Sequence, residues 1–266
     1  MKSRYFAFGC SYVDSRWGTV ADLIGANFDD YYNFGNAGCC NTFILNRLIE
    51  ADNLLKFNST TDFITVGVTG IGRFSFVDKD EKIWITAGDH LIYNKNNPPN
   101  PNYPEKLKLL AFMIDDYSYA VYRSWVAIQT ISTVLQAKNI KHIIYPSLDN
   151  LLYLTDYDLP KHTIAKVEEI LKLCHIKESL DEFVLNNYPT RGIKYEDGNS
   201  DSHPTQIQHY DYLKKYFKEF DTEKTLHRYN YLENIFDYKS INTQGLNFYK
   251  SFINKHRNKN YKIWVP

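Results

Sequence analysis

The succession of elements in this 266-residue sequence predicts an α/β fold: a three-layer α/β/α sandwich whose central, mostly parallel sheet has about five strands. Three observations carry that reading. Short apolar runs alternate with stretches of helical periodicity, the order that joins parallel strands through crossover helices. The runs are apolar nearly throughout rather than alternating, as expected for strands covered on both faces. Glycine and small polar residues follow each run directly, where an open parallel sheet collects its functional loops.

The first strand is expected within "RYFAFG", over residues 4–9, ending on Gly9-Cys10-Ser11. Trp17, Val20, Leu23, Ile24 and Phe28 then recur near helical spacing. "DDYYNFGNAGCCN" reads as a second short strand running into a glycine turn. Ile44, Leu48, Ala51 and Leu55 mark one face of a helix over residues 42–57. "TDFITVGV" is the clearest strand. The rhythm breaks over residues 74–104, where "EKIWITAGDHLIYN" predicts a β-hairpin turning at Ala-Gly-Asp and "NNPPNPNYP" a loop. A long helix over residues 117–138 follows, with Val121, Trp125, Ile128 and Leu135 on one face, and then a strand in "IKHIIYPS". Residues 159–187 read as helical with a break near Cys174. The polar stretch "EDGNSDSHPT" precedes a last amphipathic helix expected to turn Ile207, Tyr210, Leu213 and Phe217 inward. Residues 1–220 are thus one α/β domain with 74–104 inserted, and 221–266 an extension packed on it, with a helix expected near residues 246–256.

Lys+Arg and Asp+Glu both number 31, so no global field draws the chain to nucleic acid or to an anionic membrane. The short basic run "KHRNKNYK" reads as a solvated helix end. The apolar residues before Cys10 number four, short of the roughly 7–15 of a signal peptide. No later run reaches the roughly 18 of a membrane span. A cytoplasmic protein is the expectation, with Cys10, Cys39, Cys40 and Cys174 reduced and no metal-ligand spacing among them. Tyr and Phe, at 22 and 16, are abundant enough to suit a carbohydrate or protein surface, although coding bias explains them as well.

The loops after the strands hold chemistry. Serine hydrolysis needs a hydroxyl, a base in hydrogen-bond reach, a group orienting the base, and donors for the oxyanion. Ser11 stands where a strand ends and a helix is about to begin. His203 lies in "DSHPT" with Asp201 as the nearest carboxylate, and Gly38 allows close approach of its N–H to a bound acyl group. Cys10 is the alternative nucleophile, with its side chain expected opposite to that of Ser11. A nucleotide-binding reading lacks a phosphate-cradling glycine pattern after the first strand.

"FGCSYV", "NAGCCN", "GVTGIGR" and "DSHPT", in that order, resemble the four blocks of the SGNH (GDSL-type) hydrolase superfamily, over residues 4–220. The resemblance implies a flavodoxin-like SGNH hydrolase fold. It implies Ser11 as nucleophile, His203 as general base and Asp201 as the orienting acid. The Ser11 and Gly38 N–H groups and a third-block side chain would form the oxyanion hole, with no metal or cofactor. Two positions depart from the family pattern. Thr69 stands where the family has an oxyanion Asn, which leaves Asn41 and Arg73 as supporting candidates. The family places Asp three residues before His, where this chain has Ser200; Asp201 stands at two, with Asp197 in reserve. The expected activity is removal of a small acyl group, such as acetyl from carbohydrate, from a small-molecule or sugar ester. A binding protein on the same fold and an O-acetyltransferase using the same residues are the alternatives.

Overall fold

The computed structural model describes residues 2–15, 17–78, 83–87, 117–148, 159–194 and 200–235. Its centre is a parallel sheet of four strands: β1 (Arg4–Phe8), β2 (Asp30–Asn33), β3 (Asp62–Val68) and β6 (Lys141–Pro146), in the order β2-β1-β3-β6. The sheet has one strand fewer than expected among the described residues, and β6 lies at its edge. The backbone of β6 is met on its outer side by His175, whose N–H donates to the Ile144 carbonyl at 2.8 Å and whose Nδ1 accepts from the Ile144 N–H at 3.0 Å. A histidine thus takes ladder positions that a further strand would occupy.

Between these strands lie helices α1 (Val20–Gly25), α2 (Asn41–Leu55) and α3 (Tyr117–Ala137). After β6 come α4 (Lys161–Leu173), α5 (Leu180–Asn187), α6 (Gln206–Tyr216) and α7 (Glu223–Ile235). The alternation of side chains along β1 divides them. Tyr5 stacks on Phe28 and Tyr31 on one face, at centroid distances of 5.3 and 5.2 Å. Phe6 meets Tyr32 and Phe57 on the other face, both at 4.9 Å. Phe28 follows α1 and Phe57 follows α2, so helices cover both faces. α2 packs on α3 and α3 on α4, while α1 packs on α6 and α7. Much of the aromatic richness is spent in this core, where Tyr5, Tyr12, Tyr31, Tyr145 and Tyr212 are all buried.

Three further sequence expectations are corrected. α1 is a short helix because Thr19 caps it, the Asp22 carboxylate accepting from the Thr19 N–H at 3.0 Å; Trp17 therefore precedes the helix and Phe28 follows it. β5 (Ile83–Ala87) pairs antiparallel with β4 (Phe74–Asp78), a strand the sequence did not predict, with Phe74 opposite Ala87; Gly88 and Asp89, where the sequence placed a turn, lie outside the described residues. In α6, Ile207 is 38% exposed, and Tyr212 joins Tyr210 and Leu213 in the core. The helical break near Cys174 is present. The "NNPPNPNYP" loop, Asp197, the basic run and the segment near 246–256 lie outside the described residues. Among the described residues no helix is long and apolar enough to cross a membrane.

Candidate active site

The strand order reverses direction at β1/β3, the point where an open parallel sheet leaves a crevice beyond its carboxyl ends. Phe8 pairs with Val66, so Ser11 and Thr69 stand at equivalent distances past a matched pair on adjacent strands. After β1 the chain makes one tight turn, with the Val13 and Asp14 N–H groups donating to the Cys10 carbonyl at 2.9 and 3.0 Å. Ser11 rides on that turn and is 8% exposed.

From the opposite end of the chain comes His203. The Ser11 hydroxyl donates to His203 Nε2 at 2.7 Å, and His203 Nδ1–H donates to Asp201 Oδ1 at 2.5 Å. A carboxylate only accepts, so Asp201 sets the tautomer that leaves Nε2 as the acceptor toward Ser11. The same Asp201 oxygen accepts the His203 backbone N–H at 2.9 Å. This is an Asx turn, in which a carboxylate reaches the backbone two residues on. It explains how Asp201 serves from two residues before the histidine: the turn curls the imidazole back over the carboxylate. Ser200 and Asp201 form a two-residue strand, β8, antiparallel to β7 (Ile193–Lys194), where the sequence suggested only a loop.

Three hydrogen bonds stitch the Ser11 segment to the His203 segment. Trp17 Nε1 donates to the Pro204 carbonyl at 2.7 Å, the Gly18 N–H to Gln206 Oε1 at 3.2 Å, and the Val20 N–H to His209 Nδ1 at 3.4 Å. His209 is fully buried, and burial lowers its pKa to about 3, with Asp22 opposing and His203 reinforcing the shift. In the sequence Trp17 and Val20 stand out only as apolar positions, and Gln206 and His209 do not stand out at all.

Gly38 sits in a turn after β2 at φ +75°, a left-handed conformation that favours glycine. The turn is fastened to β1: the Gly9 carbonyl accepts from the Asn36 N–H at 2.9 Å and from Cys39 Sγ at 3.3 Å. Among the described residues no hydrogen bond engages the N–H of Ser11 or of Gly38. Cys10, Cys39 and Cys40 are wholly buried and pack around the turn without a disulfide, and burial pushes the Cys39 thiol up.

Thr69, Asn41 and Arg73 form a second linked group. The Asn41 side chain clasps the Thr69 backbone, Oδ1 accepting its N–H at 3.0 Å and Nδ2 donating to its carbonyl at 3.2 Å. Asn41 therefore supports the loop rather than serving as an oxyanion donor through those atoms. Arg73 Nη1 donates to Thr69 Oγ1 at 2.8 Å. That bond uses the hydroxyl as an acceptor, and the guanidinium charge polarises it into a stronger donor. The hairpin closes over this side, since the Cys40 N–H donates to Ser75 Oγ at 3.1 Å.

Among the described residues no group of three His, Cys, Asp or Glu is placed to hold a metal ion. No protein-family model matches the chain, and no curated protein matches its sequence.

Proposed function

We propose that this protein is a serine acyl hydrolase of the SGNH type, acting on esters of a small acyl group such as acetyl on a carbohydrate. The observation that carries the reading is the unbroken relay from Ser11 Oγ to His203 to Asp201, with contacts of 2.7 and 2.5 Å, assembled from segments 192 residues apart. The site's place at the β1/β3 crevice supports it.

In this mechanism His203 Nε2 takes the Ser11 proton as Oγ attacks the ester carbonyl carbon. The imidazolium is stabilised by Asp201. Negative charge on the carbonyl oxygen meets the N–H groups of Ser11 and Gly38 and the Thr69 hydroxyl. Collapse expels the alcohol, which takes the proton from His203, and leaves an acyl group on Ser11. Water, deprotonated by the same imidazole, attacks that acyl carbon; collapse releases the acid and returns the proton to Ser11.

Thr69 in place of an oxyanion Asn favours a second reading, a slow or decayed catalyst that retains the fold to bind its ligand. An O-acetyltransferase would use the same acyl-enzyme with a second alcohol as acceptor. One experiment separates these. Purified protein and Ser11→Ala are treated with a fluorophosphonate probe and assayed on p-nitrophenyl acetate, with and without added sugar alcohols. The hydrolase reading expects wild-type labelling and turnover, both lost in Ser11→Ala. Labelling with negligible turnover points to the decayed catalyst, acceleration by the alcohol to the transferase, and no labelling at all defeats the serine mechanism.

A further inference from the structure

We propose that Arg191 is a positioning residue for the acid–base pair, acting through its half-buried ion pair with the buried Asp181; this rests on the serine-hydrolase reading above. Arg191 Nη1 donates to Asp181 Oδ1 at 2.5 Å, and the Tyr12 hydroxyl donates to the same oxygen at 2.8 Å. The Asp181 side chain is 2% exposed. Its position is set by the sheet, because the Asp181 N–H donates to the Ser147 carbonyl just past β6 at 3.2 Å.

Both partners of that carboxylate lead into the relay. Tyr12 follows Ser11 in sequence, and its ring lies against the His203 imidazole, with centroids 5.6 Å apart and planes at 53°. Burial and the Asp181 charge push the Tyr12 phenol up, which keeps it a protonated donor. On the other side, Arg191 runs directly into Gly192, at φ +77°, and then into β7, where Ile193 pairs with Asp201. The Gly192 backbone lies so close beneath the acid that an added Cβ would stand 1.8 Å from the Asp201 carbonyl oxygen. Arg191-Gly192-Ile193 is therefore a strap under Asp201, and Asp181 is its anchor. One buried carboxylate joins the residue next to the nucleophile to the strand paired with the one that carries the orienting acid.

A buried ion pair adds little net stability compared with apolar packing, but removing one partner leaves a charge stranded. Here the loss would release the strap and let Asp201 drift from Nδ1. A misplacement of about 1 Å in such a constellation costs on the order of 100-fold in rate.

The test is the second-order rate of fluorophosphonate labelling at Ser11 for wild type, Arg191→Met, Arg191→Lys and Tyr12→Phe, with urea unfolding of each. Arg191→Met is expected to label roughly 10–100-fold more slowly. Arg191→Lys should recover part of that loss, and Tyr12→Phe should show a smaller loss. Should Arg191→Met not fold, the labelling rates of the other two variants decide the matter. Wild-type rates in the folded variants overturn the positioning role while leaving the hydrolase reading intact. Absence of labelling in the wild type overturns both.

Discussion

The acid–base loop and the Thr69 loop reach neighbouring points beyond the same sheet by different means. Asp201 and His203 are two residues apart and fold onto each other through one Asx turn, so the pairing is largely a local property of "DSH". Thr69 takes its place only with help from elsewhere: Asn41, 28 residues earlier, holds its backbone, and Arg73 engages its hydroxyl. The lesson is that an altered spacing in a short loop can be absorbed by an altered turn. Under the proposed hydrolase reading, an altered residue type at the oxyanion position would need partners from other elements to acquire the same chemistry.

The largest expected effect tests the local side. Asp201→Asn retains the shape of the turn but no longer dictates the tautomer, and turnover should fall by roughly 10³–10⁴-fold. Steady-state assay on an activated ester checks this; a loss under tenfold would mean that the imidazole is oriented by something other than Asp201.

Next comes the stitch that joins this loop to Ser11. His209, lowered by burial from an ordinary 6.5 to about 3, accepts the Val20 N–H only while Nδ1 is unprotonated. Between those values the unfolded chain binds a proton at this position and the fold does not. Stability is therefore fully present above pH 6.5 and is lost as pH falls toward 3, by as much as roughly 5 kcal/mol. Urea midpoints of wild type and His209→Gln at about pH 7 and about pH 4 check it, since the variant lacks this contribution to the acid slope. Parallel slopes would show that His209 does not couple folding to pH.

The smallest effect probes the other loop. Thr69→Val keeps the Asn41 clasp on the backbone and removes only the hydroxyl, so turnover should fall by about 100-fold with little change in stability. An unchanged rate would assign the oxyanion to the two N–H groups alone and make Arg73 a loop residue.

Much of this site can be read along the chain, and the reason is the topology. In a parallel sheet every strand delivers its next few residues to the same edge, so "GCS", "NAGCCN" and "GVTG" can be collected before any contact is known, whereas "DSHPT" arrives from the separate β7–β8 ribbon. Gly38 is legible because a left-handed turn favours glycine. Other participants are silent in sequence. Asp181 lies near the start of an ordinary helix, Arg191 and Gly192 in a nondescript connection, and His209 and Gln206 on a helix whose apolar face looks conventional. Each acts on a partner remote in sequence, and periodicity carries no information about such partners.

By itself the sequence determined the alternating α/β order, the parallel pairing it requires, and the candidates Ser11, Gly38, Thr69, Asp201 and His203. Local propensity and strand-end placement act over a few residues, which is why these were legible. Only the tertiary structure decided that Asp201 reaches Nδ1 from two residues away, that Asn41 holds a loop, and that His175 occupies the outer edge of β6. It also decided that Tyr5, Tyr12, Tyr31, Tyr145, Tyr210 and Tyr212 lie in the core and not on a surface. Those outcomes depend on which buried polar groups find partners once the elements pack, a condition on the whole fold rather than on any stretch of it.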